Sequence, residues 1–301
     1  MNSVRYIYVF PSKFPSRLTF SEIEESYRRA AARLGSVEVQ NLGSWTRKKK
    51  EWNDPNTVIL FLREIPEVIP PDRKAKCVFH YTESVGEPGC LIPNQQGMAD
   101  YYSSRAGEFD LFLAGTPSAV EFWRPRCRKV ALMPLGYDPE VMGVPNWTRE
   151  KTHDIGFCGT MIGRRNWVFP SIRKRFGSRY LEIGGISGKE RNAAFDACRI
   201  MLHVGHSNEK GFAHLRLWSA VSTSAALVTE ERDAWPAVPR QHYVSLLPVE
   251  EENPETFVDQ LVETLKLPLL EIARMMHADL SAYTSDRCLK EFMMPAVEAI
   301  L

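Results

Sequence analysis

The stretch DIGFCGTMIGRRNW, residues 154–167, sets two guanidinium groups behind a glycine-containing turn that itself follows a run of alternating apolar residues. Arg164 and Arg165 are permanently charged planar donors, and Gly159 is small enough to let a ligand approach the main chain. If a helix starts here, its unpaired N–H groups and the two arginines together suit a phosphate or diphosphate. Two solvated arginines at a helix start are the plainer reading of the same letters.

Further candidates stand at the ends of other apolar runs. His80 and Glu83, in VFHYTES, are placed for a general base that deprotonates a hydroxyl, or for an ordinary loop cap. His206 follows IMLHVG and is available to a sugar or phosphate, whereas alternation sends His203 into the core. Glu230 closes AALVTE, where a charged residue is ordinarily just solvated. Arg47, Lys48, Lys49 and Lys50 lie between Trp45 and Trp52, and basic residues interleaved with aromatics can hold phosphates and stack bases. The duller alternative is a solvated loop. The sequence has no DxD pair, and His203 with His206 does not make a metal cluster, so no metal is expected.

These residues need elements to position them. Short apolar runs at 4–10, 37–42, 57–62, 76–81, 109–115 and 129–136 read as strands, separated by helical or loop segments such as the helix over 20–34 that ends at Gly35. A second series follows a polar, proline-containing passage: strands DIGFCG, YLEIGG, IMLHVG, AALVTE and YVSLLP, with helices over 166–176, 190–198, 214–224 and 255–265 and a helical last 30 residues. This alternation predicts two largely parallel sheets with crossover helices. The expected boundaries are an N-terminal domain over 1–139, a linker over 140–153, a second domain over 154–275 and a helical segment over 276–301.

Composition narrows the class. The 301 residues are 44% hydrophobic and 25% charged, the balance of a globular protein. Lys plus Arg, 38, nearly cancels Asp plus Glu, 37, so no global field draws the chain onto a polyanion. The six cysteines are scattered, without a CxxC pair, which argues against a structural zinc site or a disulfide framework. The N-terminal stretch lacks the pattern of a signal peptide, and no run is long enough for a membrane helix. A cytoplasmic protein is expected.

Read in order, Asp154–Arg165, the segment 180–205 and the segment 211–230 resemble the C-terminal domain of glycosyltransferases similar to the spore maturation protein CgeB, a branch of the GT-B superfamily. The likeness covers residues 154–265 and reaches the first half through YTE at 81–83, FDLFLAG at 109–115 and PLGYDP at 134–139. It implies two Rossmann-like domains facing a central cleft, with a nucleotide-sugar donor, UDP-sugar by default, held mainly by the C-terminal one. Arg164 and Arg165 would then meet the donor phosphates, Gly159 would admit them to the backbone, Arg216 would bind or orient phosphate, and Glu230 would stand where the wider superfamily contacts ribose or sugar. One departure stands out: the family's acid in the helix motif falls on Ser219. A hydroxyl cannot make the paired grip of a carboxylate, so the donor is bound differently or activity is lost.

The expectation is thus an α/β protein of GT-B type: a metal-independent hexosyltransferase that needs no cofactor beyond its nucleotide-sugar substrate. The acceptor is a hydroxyl, with a hydroxymethylated DNA base or a glycan among the options. A non-catalytic nucleotide-sugar or glycan-binding protein, and a nucleic-acid-binding module using residues 45–52, remain open beside it. Oligomeric state is not legible in the sequence.

Overall fold

A computed structural model describes residues 4–11, 21–45, 49–82, 93–205, 214–230, 242–248, 250 and 253–301. They form two compact units, one of residues 4–82, 93–136 and 283–301, the other within 137–282.

The first unit is built on a six-stranded sheet of order β2-β1-β3-β4-β5-β6, all parallel. Its strands are β1 (Arg5–Phe10), β2 (Val37–Asn41), β3 (Thr57–Leu62), β4 (Lys76–Tyr81), β5 (Leu111–Ala114) and β6 (Val130–Leu132). All six residues of β3, TVILFL, are buried, because a parallel sheet is covered on both faces and its central strands read as continuous apolar runs. The helix Ser21–Leu34 buries Ile23, Tyr27, Ala30 and Ala31, which recur at helical spacing along one face. Gly35, at φ +67°, closes it in the left-handed conformation that glycine adopts without strain. In the helix Pro117–Trp123, Thr116 accepts from the Ala119 amide at 3.0 Å, with proline in the first turn.

The last residues of the chain belong to this unit. Arg33 Nε donates to Asp286 Oδ2 at 2.9 Å. A Cβ on Gly136 would stand 2.5 Å from the Ser285 main chain, so only glycine permits that approach. Residues 289–293 form one turn of π-helix between two short α-helical turns.

The second unit has a five-stranded sheet, again parallel, of order β11-β10-β9-β7-β8. Its strands are β7 (His153–Cys158), β8 (Tyr180–Ile183), β9 (Cys198–His203), β10 (Ala226–Glu230) and β11 (Val244–Leu246). The helices Arg165–Phe176 and Pro254–Thr264 pack on one face through Val168, Phe169, Ile172, Phe257, Val258 and Leu261. Both sheets share one plan, in which the first strand lies between the second and the third. The chain therefore leaves β7 and β9 in opposite directions, and a crevice opens at their carboxyl ends.

Candidate functional site

The crevice of the second sheet is where an open parallel sheet binds ligands, and the turn after β7 delivers Gly159 to it. The helix Arg165–Phe176 begins immediately beyond this turn, so its positive end faces the same place. Arg165 is buried and bridges the crevice: Nε donates to Val204 O at 2.8 Å, on the chain leaving β9, and Nη1 donates to Thr160 O at 2.9 Å, on the chain leaving β7. Its guanidinium also lies 5.2 Å from the Phe157 ring centre. Arg165 thus braces the loop, and its charge stands inside the crevice.

Arg164 points the other way around the helix start and meets Glu230 at the end of β10, Nη2 to Oε1 at 2.5 Å. The second carboxylate oxygen of Glu230 accepts from the Gly205 amide at 2.9 Å and lies 3.5 Å from Arg164 Nη1. One carboxylate thereby joins the start of a helix to the ends of two strands. The Glu230 side chain is 1% exposed and that of Arg164 13%, so the pair is largely withdrawn from water.

Arg216, in the helix His214–Val221, completes the group. A Cβ placed on Gly159 would lie 2.9 Å from Phe157 Cζ, 3.0 Å from Arg165 Nη1 and 3.3 Å from Arg216 Nη2. A side chain there would crowd the Phe157 ring and the Arg165 guanidinium, with that of Arg216 close behind. Arg164 and Arg165 at the start of one helix, Arg216 in a second and Glu230 at the end of β10, paired with Arg164, make a cationic edge from three separate elements. Such an edge can neutralise a diphosphate without any other charge.

Ser219 is not part of this edge. It is buried, and its hydroxyl receives a hydrogen bond from Arg191 Nη2, whose guanidinium also donates to Asn192 Oδ1. Asn192 Nδ2 in turn donates to Met142 O at 2.8 Å, so Ser219 belongs to a polar network between helices. His203, as alternation requires, is buried, with Nδ1 3.0 Å from Thr229 Oγ1.

In the first unit His80 is wholly buried rather than facing solvent at a strand end. Its Nδ1 is 2.6 Å from Tyr8 Oη, and Tyr27 presents its ring edge at 5.1 Å. Burial pushes the imidazole down to about 3, so it is neutral at ordinary pH. Alternation along β4 explains the placement: the residue two before it, Val78, points to the same covered face. Lys50 is exposed, but the aromatic residues flanking the basic run are core: Trp45 and Trp52 pack edge-on at 5.8 Å, and Trp52 stacks on Phe61 at 6.1 Å. The indoles are therefore not available to stack on bases, which removes the aromatic half of the nucleic-acid expectation. Glu83, His206, Arg47, Lys48 and the side chain of Lys49 lie outside the described residues.

Sequence reasoning missed Arg63. It follows β3 directly, at the crevice of the first sheet, with φ +62°, a conformation that L side chains rarely adopt. Its amide donates to His80 O at 3.1 Å, its carbonyl accepts from Tyr102 Oη, and Nη1 meets the buried Glu24 carboxylate at 3.0 Å. No local signal marks this; the partners come from three other elements. Among the described residues, no three His, Cys, Asp or Glu side chains gather as metal ligands, and no helix is long and apolar enough to cross a membrane.

Two parallel-sheet α/β units, each with a crevice at the carboxyl ends of its strands, give the chain an α/β fold that solved glycosyltransferases share. Comparison with solved structures agrees. The chain is similar to HepE from Anabaena in complex with UDP and glucose, with 12% identity, a TM-score of 0.61, and coverage of 99% of this chain and 100% of that one. It is similar to a glycosyltransferase from Rickettsia africae, at 11% identity and a TM-score of 0.54, covering 100% and 98%. It is similar to TarM at 8% identity and a TM-score of 0.56, covering 82% of this chain but spanning only 56% of TarM. At such identities the likeness is one of fold. No family model matches the sequence, and no curated protein matches it.

Proposed function

We propose that the protein is a glycosyltransferase that takes a nucleoside-diphosphate sugar, UDP-sugar in the first instance, and transfers the sugar to a hydroxyl acceptor. The observation that carries this reading is the approach of Arg165 and Arg216 to Gly159, beside the Arg164–Glu230 pair, at the carboxyl edge of the second sheet. HepE, of the same fold, is complexed with UDP-glucose and with UDP plus glucose, which supports the choice of uridine and of a hexose.

In the proposed reaction the bond between the anomeric carbon and the diphosphate breaks, and the acceptor oxygen takes the sugar. The hydroxyl proton leaves to a base, and UDP leaves with the electron pair. The arginines and the helix start stabilise the negative charge that grows on the diphosphate, and being fixed beforehand they need no reorganisation as it grows. Glu230 holds Arg164 in place. With guanidinium groups supplying the charge, transfer without a metal is the proposed mode, and undiminished turnover in EDTA is the expected result.

The experiment is a panel of nucleotide sugars with release of the nucleotide as the readout. UDP-glucose or a related UDP-sugar is expected to be turned over, at least by slow hydrolysis, and Arg216→Ala to lower the rate by about 100-fold, the scale of a lost preorganised donor. Binding of UDP with no release of sugar across the panel would leave a nucleotide-sugar-binding protein instead, a reading that the replacement of the family's acid by the buried Ser219 favours.

A further inference from the structure

A cavity of about 310 Å³ opens at the opposite, amino end of the second sheet. It is lined by Lys151, two residues before β7, by Arg199, the second residue of β9, and by Arg274 on the helix Leu269–Leu280. Pro268 and Leu269 supply an apolar wall, and Glu271 is the one acid among the described lining residues. Three cations and one carboxylate line a volume that fits a small ligand, with the Asp154 carboxylate behind Arg199 and that of Asp196 behind Lys151.

The three cations differ in what they can still offer. Lys151 has its three ammonium hydrogens committed, to Asp196 O at 2.9 Å, Ser224 O at 3.0 Å and Ser224 Oγ at 2.7 Å. It contributes charge, and the burial that lowers its pKa is the cost a bound anion would offset. Arg199 donates Nη2 to Leu265 O at 2.6 Å and stands 3.5 Å from Asp154, whose carboxylate is held more closely by Arg179 at 2.6 and 2.7 Å. It retains donors for a further acceptor. Arg274 lies over Trp147, 5.7 Å from the ring centre, and has no carboxylate within ion-pair distance among the described residues, not even Glu271 one turn earlier. The contact with the indole does not use up the guanidinium hydrogens.

We propose that this cavity binds a small organic phosphomonoester, its phosphate taken by Arg274 and Arg199 and its carbon body by Pro268 and Leu269. The site is distinct from the Gly159 crevice. The six residues of β9, at about 3.3 Å each, set the two ends roughly 20 Å apart, beyond the reach of one small molecule. It therefore does not depend on the proposed transferase function.

The test is isothermal titration of the full chain with phenyl phosphate and, separately, inorganic phosphate. Saturable one-to-one binding is expected, tighter for phenyl phosphate, because only the ester uses the apolar wall. Arg274→Gln, an exposed position whose replacement leaves the melting temperature unchanged, is expected to weaken binding about tenfold, as is Arg199→Gln; this is the loss of one charge-assisted hydrogen bond. Arg164→Gln, at the other end of the sheet, is expected to leave it unchanged. Absence of saturable binding, equal affinity for the two phosphates, or weakening by Arg164→Gln but not by Arg274→Gln would overturn the proposal.

Discussion

Arg164 and Glu230 are 66 residues apart in the sequence, yet their side chains meet at 2.5 Å, and the same carboxylate holds the Gly205 amide at 2.9 Å. Glu230→Ala leaves a mostly buried guanidinium and a buried amide without this acceptor. Breaking one side of such a pair costs about 3 kcal/mol or more, so a fall of several degrees in melting temperature is expected. Glu230→Gln keeps an oxygen for Gly205 and is expected to lose less. If both variants melt like the wild type, the carboxylate does not clamp these elements.

Arg165→Lys tests the brace across the crevice. A lysine carries its donors on one nitrogen, which cannot stand at both positions from which Arg165 Nε and Nη1 meet Val204 O and Thr160 O. Loss of one hydrogen bond from a charged group costs about 1.5–3 kcal/mol. Faster amide hydrogen exchange across residues 159–164 is expected, together with weaker UDP binding; unchanged exchange there would show that the loop is held by something else.

Gly159→Ala puts a methyl group 2.9 Å from Phe157 Cζ and 3.0 Å from Arg165 Nη1. Arg165 cannot swing aside without giving up Thr160 O, so the strain stays local and costs about 1–3 kcal/mol. The expected result is a lower melting temperature with UDP affinity reduced more than in Gly184→Ala, where nothing lies within 4 Å of the added carbon.

His80 gives a pH dependence of known sign. Folded, its imidazole is pushed down to about 3 by burial, whereas in the unfolded chain it titrates near 6.5. Between those values the unfolded chain binds a proton that the folded chain does not. Stability from this group is therefore complete above about pH 6.5 and is lost as pH falls towards 3, at up to about 1.4 kcal/mol per pH unit. Urea melts of the wild type and of His80→Gln across pH 4.5–7.5 are expected to show the shallower acid slope in the variant; parallel slopes would mean that His80 protonates as readily folded as unfolded.

Gly136→Ala tests the placement of the chain's last residues. The added methyl would collide with main-chain atoms of Ser285 at 2.5 Å, and a backbone cannot rotate away as a side chain can. A loss of about 3 kcal/mol is expected, and truncation after residue 282 is expected to relieve the clash, so that Gly136→Ala no longer changes the melting temperature of the shortened chain.

The apolar runs located the strands: 57–62 and 76–81 are β3 and β4 as read from the letters and the helix over 20–34 differs by one residue, whereas 129–136 shortens to Val130–Leu132 and the strand read at 200–205 begins at Cys198. Parallel pairing also followed, because strands buried on both faces must be apolar throughout. The helix Pro93–Arg105 was not visible, since PNQQGMADYYSSR has no apolar stripe to mark a face. At the candidate site, the letters supplied the types and the order, Gly159 before Arg164 and Arg165, with Arg216 and Glu230 at later element ends. Only the tertiary structure decided their partners. Whether a guanidinium faces a ligand, a carbonyl or a carboxylate depends on which strand ends lie side by side, and strand order brings β7 and β9 together across 45 residues. The same cause buried His80 and both tryptophans: local pattern fixes which way a side chain leaves its own element, and the packing of distant elements fixes what it meets.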